Sequence, residues 1–269
     1  RDTDENVILH KLRETQTNIH AWGETNRVEF DPTKEAFVLL HPRNSSGESF
    51  KLLGLVVDMQ LKMEEAIATT LKKARAKFQA LMRTRCHYND SDMFLQFKTH
   101  VLGLLESNIG GIYHATATLL APLDRVMVTF VHNFNMESED AFRKYNLAPL
   151  NLRRDIAMLG FLHKCNLPNA HPDLLELFPQ APGPGGVHNK QLWNIMTFHR
   201  ECSFYPALAR RTVFHLVHVY NALPQRVVDC KEISDFQHEL TEMARIKCQQ
   251  GHDDWQTFLS PRHFDGNPR

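Results

Sequence analysis

The sequence lacks three features that would place it in a large class at once. It has no run of about 18 apolar residues, the length that a transmembrane helix needs. It has no CxxC pair, and its five cysteines are widely spaced, which favours reduced thiols in an intracellular protein, nuclear or cytoplasmic, over a disulfide framework. Its 31 basic residues balance its 31 acidic residues, so a nucleic-acid partner would have to bind a local basic patch.

Self-contained catalytic motifs are also absent: G-x-x-x-x-G-K-S/T, G-x-S-x-G, H-E-x-x-H and G-x-G-x-x-G do not occur. Two pairs of residues have a zinc-like spacing along the chain: His199 with Cys202, and His215 with His218. The second pair has only two residues between its histidines, fewer than in most zinc sites, and a chain with 16 histidines produces such pairs by chance. The adjacent carboxylates of HDDW (252–255) lie in a polar tail with no strand to hold Mg²⁺, and we expect them to be exposed. The sequence therefore assigns no catalytic residue by motif and no metal ligand.

The first sixty residues predict a helix followed by strands. The helix covers 6–21, and its apolar side chains share one broad face: Val7, Ile8, Leu12, Ile19 and Trp22. Three runs rich in β-forming residues follow, separated by turns at Pro32 and at NSSGES: RVEF (27–30), EAFVLL (35–40) and FKLLGLVVDM (50–59). This pattern predicts a short antiparallel sheet within 27–58.

Beyond residue 60 the hydrophobic period becomes helical. In the first of these helices a 4-3-4-3 spacing predicts one buried stripe, formed by Ile67, Leu71, Ala74, Phe78 and Leu81. Further helices are predicted at 91–106, 112–120, 123–134, 138–145, 151–164 and 232–247 and before YNALP (220–224), with Ser91, Ser138 and Asn151 as N-caps and Pro122 as a break. The predicted fold class is α+β and mostly α, with a short antiparallel sheet near the N-terminus and helices after it.

The segment LKKARAKFQALMRTRCH (71–87) contains no acid and six basic residues: Lys72, Lys73, Arg75, Lys77, Arg83 and Arg85. On a helical wheel all of them except Arg85 avoid the apolar stripe. Several cations on a rigid helix, whose opposite side is anchored in a core, suit binding to a phosphate backbone. The alternative is an ordinary solvated helix face.

Several stretches together resemble the reverse transcriptase of non-LTR (LINE-type) retrotransposons, in the part that follows its catalytic strand. NIHAWGETNRVEFDPTKEAFVLLHP (18–42) and ESFKLLGLVVDMQLKMEEAIATTLKKARAKFQAL (48–81) are similar to that family's Trp-bearing helix, lxFNxxKT-like strand, YxxLGvxxD-like hairpin and thumb. The matching positions are Trp22, Asn26, Phe30, Lys34, Phe50, Leu53, Gly54 and Asp58. APLNLRRDIAMLGFLHK (148–164) and LVHVYNALPQRVVDCKEISDFQHEL (216–240) continue the resemblance, which thus spans 6 to about 245.

The resemblance implies four sections: the end of the palm (1–60), a helical thumb-like region (61–135), a helical extension (136–182) and a C-terminal helical region after a Pro/Gly linker (183–269). It implies that the strand pair with the YxDD-like motif, which holds Mg²⁺ in the intact polymerase, precedes residue 1. The implied partners are an RNA template, a DNA primer and the missing N-terminal polymerase portion, with no membrane. This chain alone, lacking the catalytic aspartates, is expected to be inactive.

The resemblance also implies roles for individual residues. Lys34 would lie near the nucleotide phosphates and assist pyrophosphate departure, whereas its alternative is an ordinary turn lysine. Leu53 and Gly54 would form the tip of the primer grip, where glycine lets the backbone approach the primer end; the alternative is a glycine in a β-bulge. Asp31 and Glu35 depart from the family, which commonly has Asn and Thr there, and they place acids beside the incoming triphosphate.

Under the resemblance the basic helix would follow template–primer phosphates. A second interpretation is a repurposed or decayed helical module that binds RNA or DNA, or acts as an interaction domain, without a polymerase role. An upstream reading frame that encodes the aspartate motif would favour the first interpretation, and a start codon just ahead of residue 1 the second.

Overall fold

The structure, a computed structural model, describes residues 5–31, 34–35, 38, 40, 48–181, 187–193 and 206–262. The chain divides into two compact units, Arg1–Met63 and Glu64–Arg269. No helix within the described residues has both the length and the apolar character needed to cross a membrane.

The first unit contains α1 (Glu5–Asn26) and a hairpin of β1 (Phe50–Leu52) and β2 (Leu55–Val57). The strands are antiparallel, with Phe50 opposite Val57 and Leu52 opposite Leu55. Helix α1 confirms the predicted helix and extends it. Its predicted apolar face is largely exposed, since Ile19 is 46% and Trp22 57% exposed.

The prediction of a strand at RVEF is wrong. Arg27 adopts the left-handed conformation (φ 58°) and ends α1, because the Val28 amide donates to the Gly23 carbonyl at 2.8 Å. The chain then turns back against the helix, and a Cβ atom added to Gly23 would lie 2.4 Å from the ring of Phe30. Glu35, Val38 and Leu40 are not in a strand either, and the rest of EAFVLL lies outside the described residues.

The second unit is helical. Its elements are α2 (Glu64–Arg83), a 3₁₀ turn (Arg85–His87), α3 (Asp90–Phe97), a π-helical turn (Lys98–Leu102), α4 (Gly103–Glu106), α5 (Ile109–Ile112), α6 (Ala117–His132), α7 (Ser138–Tyr145), α8 (Leu150–Cys165), α9 (Pro172–Leu177), α10 (Pro206–Ala209), α11 (Val213–Asn221), α12 (Gln225–Val228) and α13 (Ile233–Gln249). Among the residues described in this unit, β pairing is limited to one isolated bridge between Gln180 and Leu192. The predicted fold class, α+β and mostly α, is confirmed.

Pro122 does not separate two helices, contrary to the prediction. It lies in the second turn of α6, where it removes one amide donor and leaves the Thr118 carbonyl without its usual helical partner. The helix begins instead at Thr116, whose hydroxyl accepts from the Leu119 amide at 3.3 Å. The predicted helices at 112–120 and 123–134 are therefore rearranged into α5 and a continuous α6.

The three predicted N-caps are also wrong. The N-cap of α3 is Asn89 rather than Ser91, and the Asn89 side-chain oxygen accepts a hydrogen bond from the Asp92 amide at 2.9 Å. Ser138 lies inside the first turn of α7, behind Glu137. Asn151 lies inside the first turn of α8, and its amide donates to the Gln256 carbonyl at 3.2 Å, so this side chain joins the helix to the C-terminal segment.

Helix α8 lies at the centre of the second unit, packed against α5, α6, α11 and α13. Leu152 and Leu159 of α8 share one core with Leu216 of α11, Phe236 of α13 and Trp255. The described part of 187–269 packs on the helices that precede it, since its apolar side chains belong to this same core. The four cysteines in the described residues, Cys86, Cys165, Cys230 and Cys248, are free thiols.

Candidate nucleic-acid interface

Helix α2 buries the stripe that its sequence predicts. Ile67 and Ala74 are 4% and 0% exposed, and Leu81 is buried as well, whereas Leu71 and Phe78 are half-buried. This face packs against α6, α4 and α3. The packing fixes the rotation of α2 about its axis and thereby determines which side chains point to solvent.

The solvent face of α2 carries five exposed cations: Lys72, Lys73, Arg75, Lys77 and Arg83. None of them forms an ion pair with any residue that the structure describes. The two acids of α2, Glu64 and Glu65, lie in its first turn, where they complement the helix dipole. No Asp or Glu follows Glu65 until Asp90. The face is therefore a net positive surface without internal neutralisation.

These cations fall into two rows. With about 100° of rotation per residue, Lys72, Arg75 and Arg83 lie near one line and Lys73 and Lys77 near another. Exposed small side chains lie between the rows: Thr69, Ala76 and Ala80. At about 1.5 Å per residue, Lys72 and Arg83 are roughly 16 Å apart along the axis, so the face can reach several phosphates of one strand.

Arg85 differs from the other five basic residues. Helix α2 ends at Arg83, and Arg85 begins the following 3₁₀ turn. Its guanidinium lies 4.4 Å from the centroid of the Phe134 ring, a cation–π contact. Arg85 is still exposed, but its position is set by packing against Phe134 rather than by the helix face.

Lys34 is exposed and pairs with Asp31, whose carboxylate lies 3.1 Å from its Nζ. Glu35 contacts His20 at 2.8 Å and accepts a hydrogen bond from Gln16. The two acids that depart from the family pattern therefore have partners within the first unit. Asp31 in particular places a negative charge directly on the candidate phosphate contact.

Leu53 and Gly54 form the two-residue turn between β1 and β2. Both have positive φ, 48° and 86°, as a turn that matches the strand twist requires. A Cβ atom on Gly54 would meet nothing within 4 Å, so the backbone conformation, not crowding, favours glycine there. Leu53 is 98% exposed. The interpretation of Gly54 as part of a bulge is wrong, and the two residues form the hairpin tip.

Asp58 has a role that the sequence pattern did not reveal. Its carboxylate accepts hydrogen bonds from the amides of Gln60 (3.1 Å), Lys62 (2.9 Å) and Met63. Leu61 and Met63 have positive φ, 56° and 64°. The turn thus directs several backbone amides toward one carboxylate, and these hydrogen bonds stabilise the turn.

The four residues with zinc-like spacing do not form a metal site within the part of the chain that the structure describes. The rings of His215 and His218 lie 5.2 Å apart, and His199 and Cys202 are outside the described residues. Within the described ranges no group of three His, Cys, Asp or Glu side chains is placed to hold a metal.

The expectation that HDDW is exposed holds only for its first residues. Asp253 is exposed, but Asp254 pairs with Lys247 at 3.1 Å. Trp255 is 4% exposed and stacks on Phe142 with ring centroids 5.5 Å apart. Trp255 therefore anchors this tail to the core, while the residues before it face solvent.

Sequence reasoning missed a buried polar network on α8. Arg154 donates to both oxygens of Asp124, at 2.6 and 2.9 Å, and the Tyr113 hydroxyl donates to Asp155 at 2.6 Å. Burial raises the pKa of Asp155 to about 6, although the Tyr113 hydrogen bond and Arg262 oppose this rise. Burial also raises the pKa of Tyr113. Arg262 lies over the Tyr113 ring, 4.8 Å from its centroid, so the network secures the C-terminal segment.

Comparison with known families, curated proteins and solved structures gives no match to this chain.

Proposed function

We propose that this chain binds a template–primer duplex through the basic face of α2, as the palm-end, thumb and C-terminal part of a LINE-type RNA-directed DNA polymerase. One observation carries the proposal. Five cations project from a helix whose opposite face is buried, and no ion pair with a described residue neutralises them.

The chemistry of the face favours phosphate over bases. Lysine and arginine that neutralise phosphates release condensed counterions, a gain independent of base sequence. The residues between the two rows, Thr69, Ala76 and Ala80, are too short to reach far into a groove. Binding through this face therefore depends on backbone charge and on salt.

The proposal includes binding but no chemical step by this chain. The metal-holding aspartates would belong to the N-terminal polymerase portion. Lys34 and the hairpin tip at Leu53 and Gly54 would contribute the nucleotide-side and primer-side contacts. The resemblance of their flanking sequences to the family supports these two roles.

A salt titration of binding to an RNA–DNA duplex tests the proposal. If about four cations contact phosphates, log K should fall against log salt with a slope near −3 to −4. Replacing Lys72, Lys73, Arg75 and Lys77 with Ala should flatten the slope to about −1, because Arg83 of the same face remains. Folding should change little, because substitutions on exposed surface usually cost less than about 0.5 kcal/mol each.

The matched control removes the same charge elsewhere. Four cations elsewhere are exposed and form no ion pair with a described residue: Arg13, Lys144, Lys164 and Lys231. Their fourfold replacement with Ala should leave most of the slope intact. Equal slopes in the two variants would show that only net charge matters, and an unchanged slope in the α2 variant would make that helix a solvated face.

A further inference from the structure

A groove of about 720 Å³, here called the α8 groove, runs along one face of α8. Four residues of α8 form its floor at helical spacing: Arg153, Ile156, Ala157 and Phe161. At about 1.5 Å per residue, Arg153 and Phe161 are roughly 12 Å apart along the helix axis. The other walls come from α4, α5, α11 and α13. Sites for small molecules have volumes of about 300–1,000 Å³, so the groove is large enough for one.

The middle of the α8 groove is apolar. Ile109 of α5 and Ile156 are both 7% exposed, and Met158, which also lines the groove, is half-buried. Phe161, at the far end, is 36% exposed, and its ring meets Phe178 edge-on with centroids 6.3 Å apart. An apolar ligand body that lies on this stretch therefore leaves water without displacing a helix.

One end of the α8 groove carries unused hydrogen-bond donors. The Arg153 Nε donates to Glu106 of α4, whereas the two terminal nitrogens of Arg153 form no hydrogen bond with any residue that the structure describes. The Arg153 side chain is 32% exposed, so a ligand can reach these donors. Burial and the charge of Arg153 lower the pKa of Lys98, which places a second cation close to this end. Together the two cations outweigh the single carboxylate of Glu106.

Helix α13 forms a polar rim on the α8 groove. Gln237 lies across α8 at Gly160, where an added Cβ atom would be 2.5 Å from Gln237 Nε2, so glycine makes room for this side chain. One turn later, the Thr241 hydroxyl donates to the Gln237 carbonyl at 2.8 Å. Gln237 and Thr241 are only half-buried, so they can keep their contacts with water when an apolar body lies on α8.

We propose that the α8 groove binds an amphiphilic carboxylate of the fatty-acid type, with its carboxylate on Arg153 and its apolar body on the stretch from Ile156 to Phe161. A guanidinium can bind a carboxylate through two parallel N–H···O bonds, and such charge-assisted bonds are roughly twice as strong as neutral ones. Glu106 already occupies the Nε of Arg153, which leaves the two terminal nitrogens to the ligand. The site uses none of the cations of α2, so it does not depend on binding to nucleic acid.

An NMR titration of the whole chain with octanoate, 1-octanol and octyltrimethylammonium tests the site, because the three probes share one alkyl chain and differ in head-group charge. The Met158 methyl signal should shift, whereas that of Met93, which is fully buried in α3, should not. Octanoate should bind about tenfold more tightly than octanol, and the cation more weakly than both. Equal affinities for octanoate and octanol, or no shift of Met158, would overturn the proposal; the first outcome would leave a polypeptide segment as the better occupant.

Arg153→Gln should lower the affinity for octanoate about tenfold, to that of octanol, without changing the affinity for octanol. The matched control is Arg226→Gln, which breaks the ion pair of Arg226 with Glu239 outside the groove and should leave both affinities unchanged. Glu106→Gln should act in the opposite direction, because it removes the carboxylate that competes for Arg153, and should raise the affinity for octanoate several-fold. If Arg153→Gln fails to fold, this variant decides: unchanged or weaker binding of octanoate would refute the site.

Discussion

At the scale of single residues, the tip of the hairpin places an unusual side chain in an unusual conformation. Leu53 has a φ of 48° and is 98% exposed, so it bears backbone strain without any packing in return. Asparagine or glycine is the usual residue at this position of a two-residue hairpin turn. The leucine therefore lowers the stability of the hairpin locally.

Leu53→Asn should therefore stabilise the hairpin by about 1 kcal/mol, since it creates the favoured Asn-Gly turn. Exchange protection of the strand amides of β1 and β2 measures this effect. Leu52 is also exposed, at 55%, but has ordinary strand geometry, so Leu52→Asn should weaken the same hairpin. If both substitutions weaken it, strain at Leu53 is not significant.

At the scale of elements, α2 combines a buried stripe and a charged face that could be predicted together. The 4-3-4-3 spacing fixes both at once, because turning Ile67, Ala74 and Leu81 inward turns the cations outward. The centre of the charged face is Ala76, between the two rows of cations. A carboxylate there would stand between the cations and a phosphate backbone.

Ala76→Glu should weaken duplex binding at low salt several-fold and leave stability within about 0.5 kcal/mol, because the site is exposed. Ala76→Gln has nearly the same shape without the charge and should bind like the wild type. Fluorescence anisotropy with a labelled RNA–DNA duplex, together with urea unfolding, separates the two effects. Equal affinities for the two variants would place the duplex elsewhere.

At the scale of the whole molecule, the buried network on α8 links stability to pH. The pKa of Asp155 is raised by burial to about 6 from an ordinary value of 3.8. A carboxyl group whose pKa is raised in the folded state stabilises the fold below the unfolded pKa, and this contribution disappears as pH rises through about 6. His163 has a lowered pKa in the folded state, so its protonation favours unfolding. Its effect on the free energy of unfolding is therefore the opposite one: stability falls as the solution is acidified below about pH 6.5.

Asp155→Asn should remove the first contribution. Between about pH 4 and pH 6 the stability of the wild type relative to this variant should fall by about 2 kcal/mol as pH rises. Chemical denaturation of the two proteins across this range measures the difference. Asp253→Asn removes an exposed carboxyl group outside this network and serves as the matched control. A parallel pH dependence in wild type and Asp155→Asn would remove Asp155 from the linkage.

This chain by itself is also expected to be catalytically silent. Neither the sequence motifs nor the described residues provide paired carboxylates on a strand turn, so the purified protein should incorporate no dNTP on a primed RNA template with Mg²⁺. An incorporation assay with a full-length reverse transcriptase as positive control checks this. Template-dependent synthesis above background would require an active site that we have not identified.

The sequence predicted features that depend on neighbouring residues, and it missed most of those that depend on residues far apart in the chain. Helices such as α2 and α13 follow from local periodicity, which any isolated stretch displays. Buried Arg154 and His163 looked like ordinary polar helix residues, because their partners Asp124 and Tyr220 are remote in the chain. RVEF failed for a more local reason: packing of Phe30 against Gly23, in the helix just before it, overrides its β propensity.

The central position of α8 has a consequence for the chain while it is being synthesised. Its core faces are covered by α11 and α13, so the helix leaves the ribosome before its partners exist. About 80 further residues must be translated before α13 is complete, which takes roughly 4–16 s at about 5–20 residues per second. During that interval Leu152 and Leu159 lack these two partner helices, and a nascent chain stalled before α11 would present them to chaperones.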